Sequence, residues 1–274
     1  MTNAAALPRA PVRAAFFGGI YSNHIALAAA IESARSLGVD AMFCLGDLGA
    51  FGPHPDLVFP LLEENGVVCI SGNYDDSLAR GLTDCQCGYS DPRDNHFARL
   101  SYRYTFEKTS ARNKAWLGEL PRALRLEMAG RRVLLCHGSP RRMNEFLWES
   151  TTPDHFLEKL CRDHDSDVII GTHTGLPWSR ELEGGRLFVN AGVLGRPAND
   201  GTTDVSYAVL ETDPGGEKGW LRASFVPVAY DHAGLAREMS SEGLPEEFIE
   251  TIETGWWTTC LEVLPARERL RGKW

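Results

Sequence analysis

Asp47, Asn73, His137 and His173 are the residues whose types and placement could do chemistry together. Each stands just after a short apolar run, at residues 41–45, 67–70, 132–136 and 167–170. Such runs read as buried strands. In layered α/β folds, ligands collect outside the carboxyl ends of strands. A carboxylate, a side-chain amide and two imidazoles are oxygen and nitrogen donors, which suit Mn²⁺, Fe or Zn²⁺ better than a soft thiolate metal. Asp47 alone could be a helix cap, and either histidine alone an ordinary hydrogen-bonded one. Taken together, they point to a metal site.

The elements that must position these donors follow from periodicity. Residues 12–17 read as a first strand running into Gly18-Gly19-Ile20. Residues 26–37 are alanine-rich with helical spacing, and residues 56–65 form a helix stopped by Gly66. With the strands at 41–45 and 67–70, this is the β-α-β-α-β order of a mainly parallel layer. Residues 82–95 break the pattern in a polar, turn-rich excursion containing Asp84-Cys85-Gln86-Cys87-Gly88. Helical spacing returns at 97–105, 113–120 and 153–161. Strands follow at 132–136, 167–170 and 186–189, then a late pair at 207–210 and 221–228 around a Gly-rich turn, and a helical tail at 245–252. The expectation is a loose tail over residues 1–11, one domain of two stacked sheets flanked by helices over 12–230, and a helical extension over 231–274 packed on it. Gly18-Gly19 after a strand suggests a dinucleotide loop, but the third glycine and the distal acidic residue are out of register. Trp256-Trp257 reads as helix packing rather than a partner-binding patch.

Composition narrows the function. The chain has 274 residues, 43% of them hydrophobic, enough for a substantial core. A net charge of −9 without a basic stripe argues against nucleic acid and anionic membranes as partners. No apolar run approaches the roughly 20 residues of a membrane span. The N-terminal stretch carries an arginine between short apolar pieces and is a poor secretory signal. Seven cysteines is an odd count, and Cys44, Cys69 and Cys136 lie in strand-like runs, where thiols are core filler. We therefore expect a cytoplasmic, reduced protein without a disulfide framework. Cys85 and Cys87 read as free loop thiols, His54 as a loop residue between prolines, and His24 as a helix-starting residue.

The motifs, taken in order, carry a resemblance. They are Gly46-Asp47 with Phe51-Gly52-Pro53, Gly72-Asn73-Tyr74-Asp75, Cys136-His137-Gly138-Ser139-Pro140 and His173-Thr174-Gly175-Leu176-Pro177, followed by Asn190-Ala191-Gly192-Val193-Leu194-Gly195-Arg196-Pro197 and Ser206-Tyr207-Ala208-Val209-Leu210. Over residues 12–230 the chain resembles the calcineurin-like metallophosphoesterases, specifically their small bacterial branch. The resemblance implies a four-layer α/β/β/α sandwich of two mixed sheets flanked by helices. It also implies metal-assisted hydrolysis of a small phosphomonoester or phosphodiester.

The departures matter as much. The family's site holds two metals about 3.5–4 Å apart. One is bound by an Asp-x-His after the first strand, a shared Asp and the last His of Gly-His-Thr-His. The other is bound by the shared Asp, an Asn, the His of His-Gly and the first His of Gly-His-Thr-His. Here those places read Gly19-Ile20-Tyr21 and Thr172-His173-Thr174-Gly175. Every ligand exclusive to the first metal is gone, and every ligand of the second remains. The resemblance thus implies one divalent transition metal (Mn, Fe or Zn) on Asp47, Asn73, His137 and His173. A second ion would need donors foreign to the family, such as His24, His54, Cys85 or Cys87. Gly19 and Gly175 are expected to open volume beside the emptied position. Tyr74 stands where many members carry a catalytic histidine and is a weaker proton donor near neutral pH. Asp75 would orient it or act as the acid itself. Tyr21, Asn23, Arg141 and Arg196 are candidates for substrate binding, and Arg141, Arg142 or Arg196 for a substitute cation, because guanidinium suits phosphate. The competing readings are a non-catalytic binding or regulatory protein that keeps one metal, and redox or lyase chemistry at a mononuclear centre.

Overall fold

Strand β1 (Arg13–Phe17) is buried along almost its whole length, and its alternate side chains enter different layers. Ala14 and Phe16 join one apolar cluster, Ala15 and Phe17 another. That is the two-residue alternation of a strand covered on both faces. The structure is a computed structural model that describes residues 10–212 and 219–270. Most of the expected tail at 1–11 and most of the Gly-rich turn before residue 221 lie outside the described residues.

After β1 come α1 (His24–Ser36), β2 (Ala41–Cys44), α2 (Val58–Glu64), β3 (Val68–Cys69) and α3 (Asn73–Arg80). Helices α4 (Pro92–Lys108) and α5 (Ala111–Leu117) lead to β4 (Ala123–Met128) and β5 (Arg131–Cys136). Then come α6 (Asp154–Asp163), β6 (Val168–Gly171), β7 (Pro177–Leu182) and β8 (Arg186–Ala191). The chain continues through β9 (Val205–Thr212), β10 (Leu221–Val228), α7 (His232–Ser241), α8 (Glu246–Thr254) and α9 (Ala266–Arg269).

Two five-stranded sheets result, in the orders β10-β9-β1-β2-β3 and β4-β5-β6-β8-β7. Both are mixed. β1, β2 and β3 pair in parallel, as do β5, β6 and β8, while β9, β10, β4 and β7 pair antiparallel. The inner faces meet through Phe16 and Phe43 of one sheet and Val133, Leu135 and Ile170 of the other. Phe16 and Phe43 stack with ring centroids 5.3 Å apart. Ala26, Leu27, Ala30 and Ile31, on one stripe of α1, cover the outer face of the first sheet. Leu157, Leu160 and Cys161 of α6 cover the second sheet at Leu134, Ile169 and Phe188. The architecture is the expected α/β/β/α sandwich.

This layering positions the candidate donors. β2 and β3 run parallel in one sheet, and β5 and β6 in the other, so each pair delivers the residues just beyond it to one sheet edge. A single parallel bridge, Gly19 to Val193, ties the loop after β1 to the loop after β8. Several elements differ from the sequence expectation. β4 and β7 are edge strands with mostly half-exposed or exposed residues, so they lack the apolar run that marks the central strands. α3 begins at Asn73 itself, inside a stretch read as a ligand loop. α7 lies within the helical extension expected from residue 231, ahead of the one stretch of helical spacing picked out there. α4 starts early, at Pro92, because the Asp91 side chain accepts the amides of Arg93 and Asp94 and proline suits the first helical position.

Candidate metal centre

Asp47 follows β2 with φ +55°, and His173 follows β6 with φ +72°. Both occupy the left-handed region that side chains other than glycine enter at a cost, a feature concentrated at functional sites. Asn73 is the first residue of α3, and His137 follows β5 directly. All four are buried. Gly72 makes the close approach of the ligand loops feasible. A Cβ there would stand 2.5 Å from the Asp47 amide nitrogen and 2.9 Å from His137 Cε1.

The side chains converge. Asp47 Oδ2 lies 3.2 Å from His137 Nε2, which lies 3.2 Å from His173 Nδ1. One donor atom from each of the three falls within 4.8 Å of the others. His137 Nδ1 sits 2.7 Å from the Leu45 carbonyl. Donation there fixes the tautomer and leaves the Nε2 lone pair for an ion. Burial and the charge of His137 hold His173 far below the ordinary histidine range, at about 3, so its imidazole is a neutral lone-pair donor. Burial alone would raise the Asp47 carboxyl, but the charge and hydrogen bond of His137 outweigh it and keep Asp47 below its usual value. Burial likewise opposes the charged form of His137, and Asp47 outweighs it, so His137 lies above its usual value.

Asn73 is locked by its amide. Its Nδ2 donates to the Cys85 carbonyl at 2.8 Å and to Cys87 Sγ at 3.4 Å. That leaves Asn73 Oδ1 buried without a partner among the described residues. Orphaned buried polar atoms are rare and call for an explanation. Converging donor atoms on a carboxylate and two imidazoles fit a divalent cation bound by oxygen and nitrogen, and the unpartnered amide oxygen of Asn73 is a further candidate donor.

Asp75 is the residue that fastens the site. Its Oδ2 accepts the amides of Asp47 at 2.7 Å and Gly72 at 2.8 Å, and its Oδ1 accepts that of Leu48 at 3.1 Å. Burial and the charge of Asp47 push its carboxyl up to about 6. Its oxygens are committed to backbone N–H groups, so its role in the structure is to position Asp47 rather than to orient Tyr74 directly. Tyr74 donates instead to Ser101 Oγ at 3.0 Å, and its own amide binds Asp47 Oδ1 at 3.0 Å.

A cavity of about 40 Å³ opens beside the cluster, with Asp47, His173, Tyr74, Tyr21 and Arg196 in its wall. A larger groove of about 330 Å³, lined by Trp148, Trp178 and Arg267, contains none of the metal donors. Asn23 and Arg141 do not line the cavity. Asn23 caps α1 by accepting the Ala26 amide at 2.9 Å and donates to the Gly195 carbonyl at 3.4 Å. Arg141 is exposed and paired with Glu145, and Arg142 is also exposed. His24 and His54 face Glu238, at 3.7 and 4.0 Å, and do not line the cavity. Cys85 and Cys87 are not free thiols; they form a disulfide. Gln86 takes φ +52° and its amide binds Asp84 Oδ1 at 2.9 Å, and this turn brings the two cysteines together. The expectation of a fully reduced chain fails at that pair, while Cys44, Cys69, Cys136, Cys161 and Cys260 are free and buried. Sequence reasoning missed Trp257 and Cys260, which reach this region from far along the chain.

The profile of the calcineurin-like phosphoesterase superfamily domain matches residues 20–215. The chain belongs to this superfamily. An uncharacterized protein of Methanocaldococcus jannaschii is 24% identical over 255 residues, covering 88% of this chain and 97% of that protein. Among solved structures, a hypothetical protein from Pyrococcus horikoshii aligns with a TM-score of 0.73 at 22% identity, over 90% of this chain and 99% of the other. A metallophosphoesterase from Sphaerobacter thermophilus aligns with a TM-score of 0.66 at 24% identity, over 89% and 99%. Both share the fold. No helix among the described residues is long and apolar enough to cross a membrane.

Against the ligand set implied by the resemblance to calcineurin-like enzymes, the first-metal side of this phosphoesterase-family chain is filled rather than open. A Cβ on Gly19 would meet the Tyr21 ring at 2.5–3.1 Å. A Cβ on Gly175 would meet Trp257 at 2.9 Å and come within 3.7 Å of Arg196 Nη2. The glycines do not leave the open volume expected of them.

Proposed function

We propose that this protein hydrolyses a small phosphate ester with one divalent transition metal, manganese, iron or zinc, held by Asp47, Asn73, His137 and His173. The convergence of Asp47 Oδ2, His137 Nε2 and His173 Nδ1 carries this reading, and family membership supports it. Such an ion polarises a phosphoryl oxygen or lowers the pKa of a bound water. The chain's own groups do the rest. Asp75 holds the Asp47 loop against the start of α3. His137 is oriented by the Leu45 carbonyl. Tyr74 stands in the cavity wall, and burial pushes its hydroxyl well above its ordinary value, so it stays neutral, with its proton in a hydrogen bond to Ser101 Oγ.

The test is metal content of protein purified without added metal, then hydrolysis of aryl phosphomonoesters and phosphodiesters with Mn²⁺, Fe²⁺ and Zn²⁺. One equivalent of metal and metal-dependent turnover are expected. Turnover that survives both Asp47→Asn and His173→Ala overturns the reading. The competing reading is a metal-holding protein of this fold that binds a phosphorylated molecule without cleaving it. The filled space at Gly19 and Gly175 favours it, and tight phosphate binding without turnover on any metal would decide for it.

A further inference from the structure

Arg196 sits where burial makes its charge expensive. It is 6% exposed, and its Nε is buried without a hydrogen-bond partner among the described residues. A buried guanidinium without compensation is strongly disfavoured. Aromatic faces hold it instead. Its Cζ lies 3.4 Å from the Trp257 ring centroid, 5.7 Å from that of Phe51 and 5.9 Å from that of Tyr21. Trp257 is itself fixed, donating from Nε1 to the Pro197 carbonyl at 2.6 Å and from its amide to Asn199 Oδ1 at 2.9 Å. Cation–π contact offsets part of the desolvation, but it uses the ring face and leaves the planar N–H donors of the fork for another ligand.

The location of the group is equally specific. Its Nη2 lies 3.7 Å from where a side chain at Gly175 would begin, and it shares one cavity wall with Asp47 and His173. Tyr21, whose ring covers Gly19, is close to both ends of the cavity: its hydroxyl feels the positive charge of Arg196 and the negative charge of Asp47.

We propose that the Arg196 guanidinium takes the place of the missing first cation and binds the terminal phosphoryl group of a phosphomonoester, with the metal of the Asp47 site on the other side of that group. The assignment depends on the metal of the hydrolase reading and goes beyond it by naming the second charge and the substrate class. A guanidinium presents paired donors that match phosphate oxygens. A water needs about 10–15 Å³ of such space, so a cavity of about 40 Å³ accepts one phosphoryl group with little to spare. A diester would have to place substituents on both sides of its phosphorus in that space. A monoester keeps a single substituent, directed outward, and carries close to two negative charges at neutral pH.

The experiment titrates inorganic phosphate into the Mn²⁺-loaded protein, followed calorimetrically and by the change in tryptophan fluorescence, for wild type, Arg196→Met and Arg196→Lys. Metal content is measured on each sample. One equivalent of metal throughout is expected, with phosphate affinity falling about 10- to 100-fold in Arg196→Met and less in Arg196→Lys, which keeps the charge but loses the fork. Unchanged phosphate affinity in Arg196→Met at full metal load overturns the assignment, as do two equivalents of metal in the wild type. Turnover in the wild type with Arg196-independent phosphate binding sinks this inference and leaves the hydrolase reading standing. Arg196-dependent phosphate binding without turnover does the reverse.

Discussion

The carboxylate of Asp75 receives the backbone N–H of Asp47 at 2.7 Å, although the two residues stand on separate segments that come after different strands. With the Gly72 amide at 2.8 Å on the same oxygen, one side chain sets the spacing between two metal donors. Asp75→Asn nearly preserves volume, but it has one acceptor oxygen, so it cannot keep the Asp47 and Gly72 amides on one side and the Leu48 amide on the other. Metal affinity is expected to fall about 10- to 100-fold, the usual effect of removing a group that orients a ligand. Competition with a chromophoric chelator measures it. An unchanged affinity would show that Asp75 does not position the site.

Gly72→Ala tests the close approach between the same loops. The added methyl would press on the Asp47 backbone and the His137 ring, neither of which is the free end of a flexible chain. A loss of about 1–3 kcal/mol in denaturant unfolding is expected from overpacking. Weakened metal binding should accompany it. Retention of both stability and affinity would mean that the loops part at little cost.

The disulfide lies against Asn73, whose amide touches both the Cys85 carbonyl and Cys87 Sγ. The loop it closes is very short, so replacing both cysteines by serine should cost no more than about 2 kcal/mol by the loop-entropy account. The Cys85 carbonyl remains to hold Asn73, and metal content should stay at one equivalent. Loss of the metal in the double variant would show that the Cys85 carbonyl alone does not hold Asn73 or that the oxygen–nitrogen set is incomplete, and a metal–sulfur signal in the wild type would refute that set.

Asp167 ties β5 to β6, the strands that carry His137 and His173. Its carboxylate accepts the Arg132 backbone amide at 2.9 Å and two guanidinium nitrogens at 3.1 and 3.0 Å. Hydrogen bonding from Arg132 lowers it to about 2. The folded form therefore releases this proton more readily than the unfolded chain. The stabilisation is complete above about pH 5 and is lost as the pH falls through about 2. In metal-free protein, Asp167→Asn should lower stability at pH 7 by about 1 kcal/mol after allowance for solvent screening, and the difference from wild type should shrink from about pH 5 downward and vanish only at about pH 1. Chemical unfolding at a series of pH values gives the comparison; a difference independent of pH would sink the linkage.

The layered fold and the meeting of Asp47, His137 and His173 are legible in the sequence because both depend on burial. A strand covered on both faces must be an apolar run, as residues 13–17 and 168–171 are, and a parallel sheet gathers the loops beyond such runs at one edge. The edge strands β4 and β7 carry no such constraint, so their sequences look like loops. Asn23 follows the loop after the first strand, which suggests a substrate contact. Its other signal, an asparagine just ahead of an alanine-rich helix, is that of a cap, and the cap is what forms. Trp257 packs as its sequence suggests, with 2% exposure. Its packing partner, however, is the cation from residue 196. No local pattern encodes a contact between residues so far apart.

The family profile stops at residue 215, yet Phe248 and Cys260 wall the cavity and Trp257 backs its arginine. A fragment trimmed to the recognisable domain would retain every candidate metal donor and lose the Trp257 ring, the nearest of the faces on which Arg196 rests. The pocket is therefore divided along the chain: the candidate donors lie inside the stretch that the profile covers, and the nearest aromatic support of Arg196 lies beyond it.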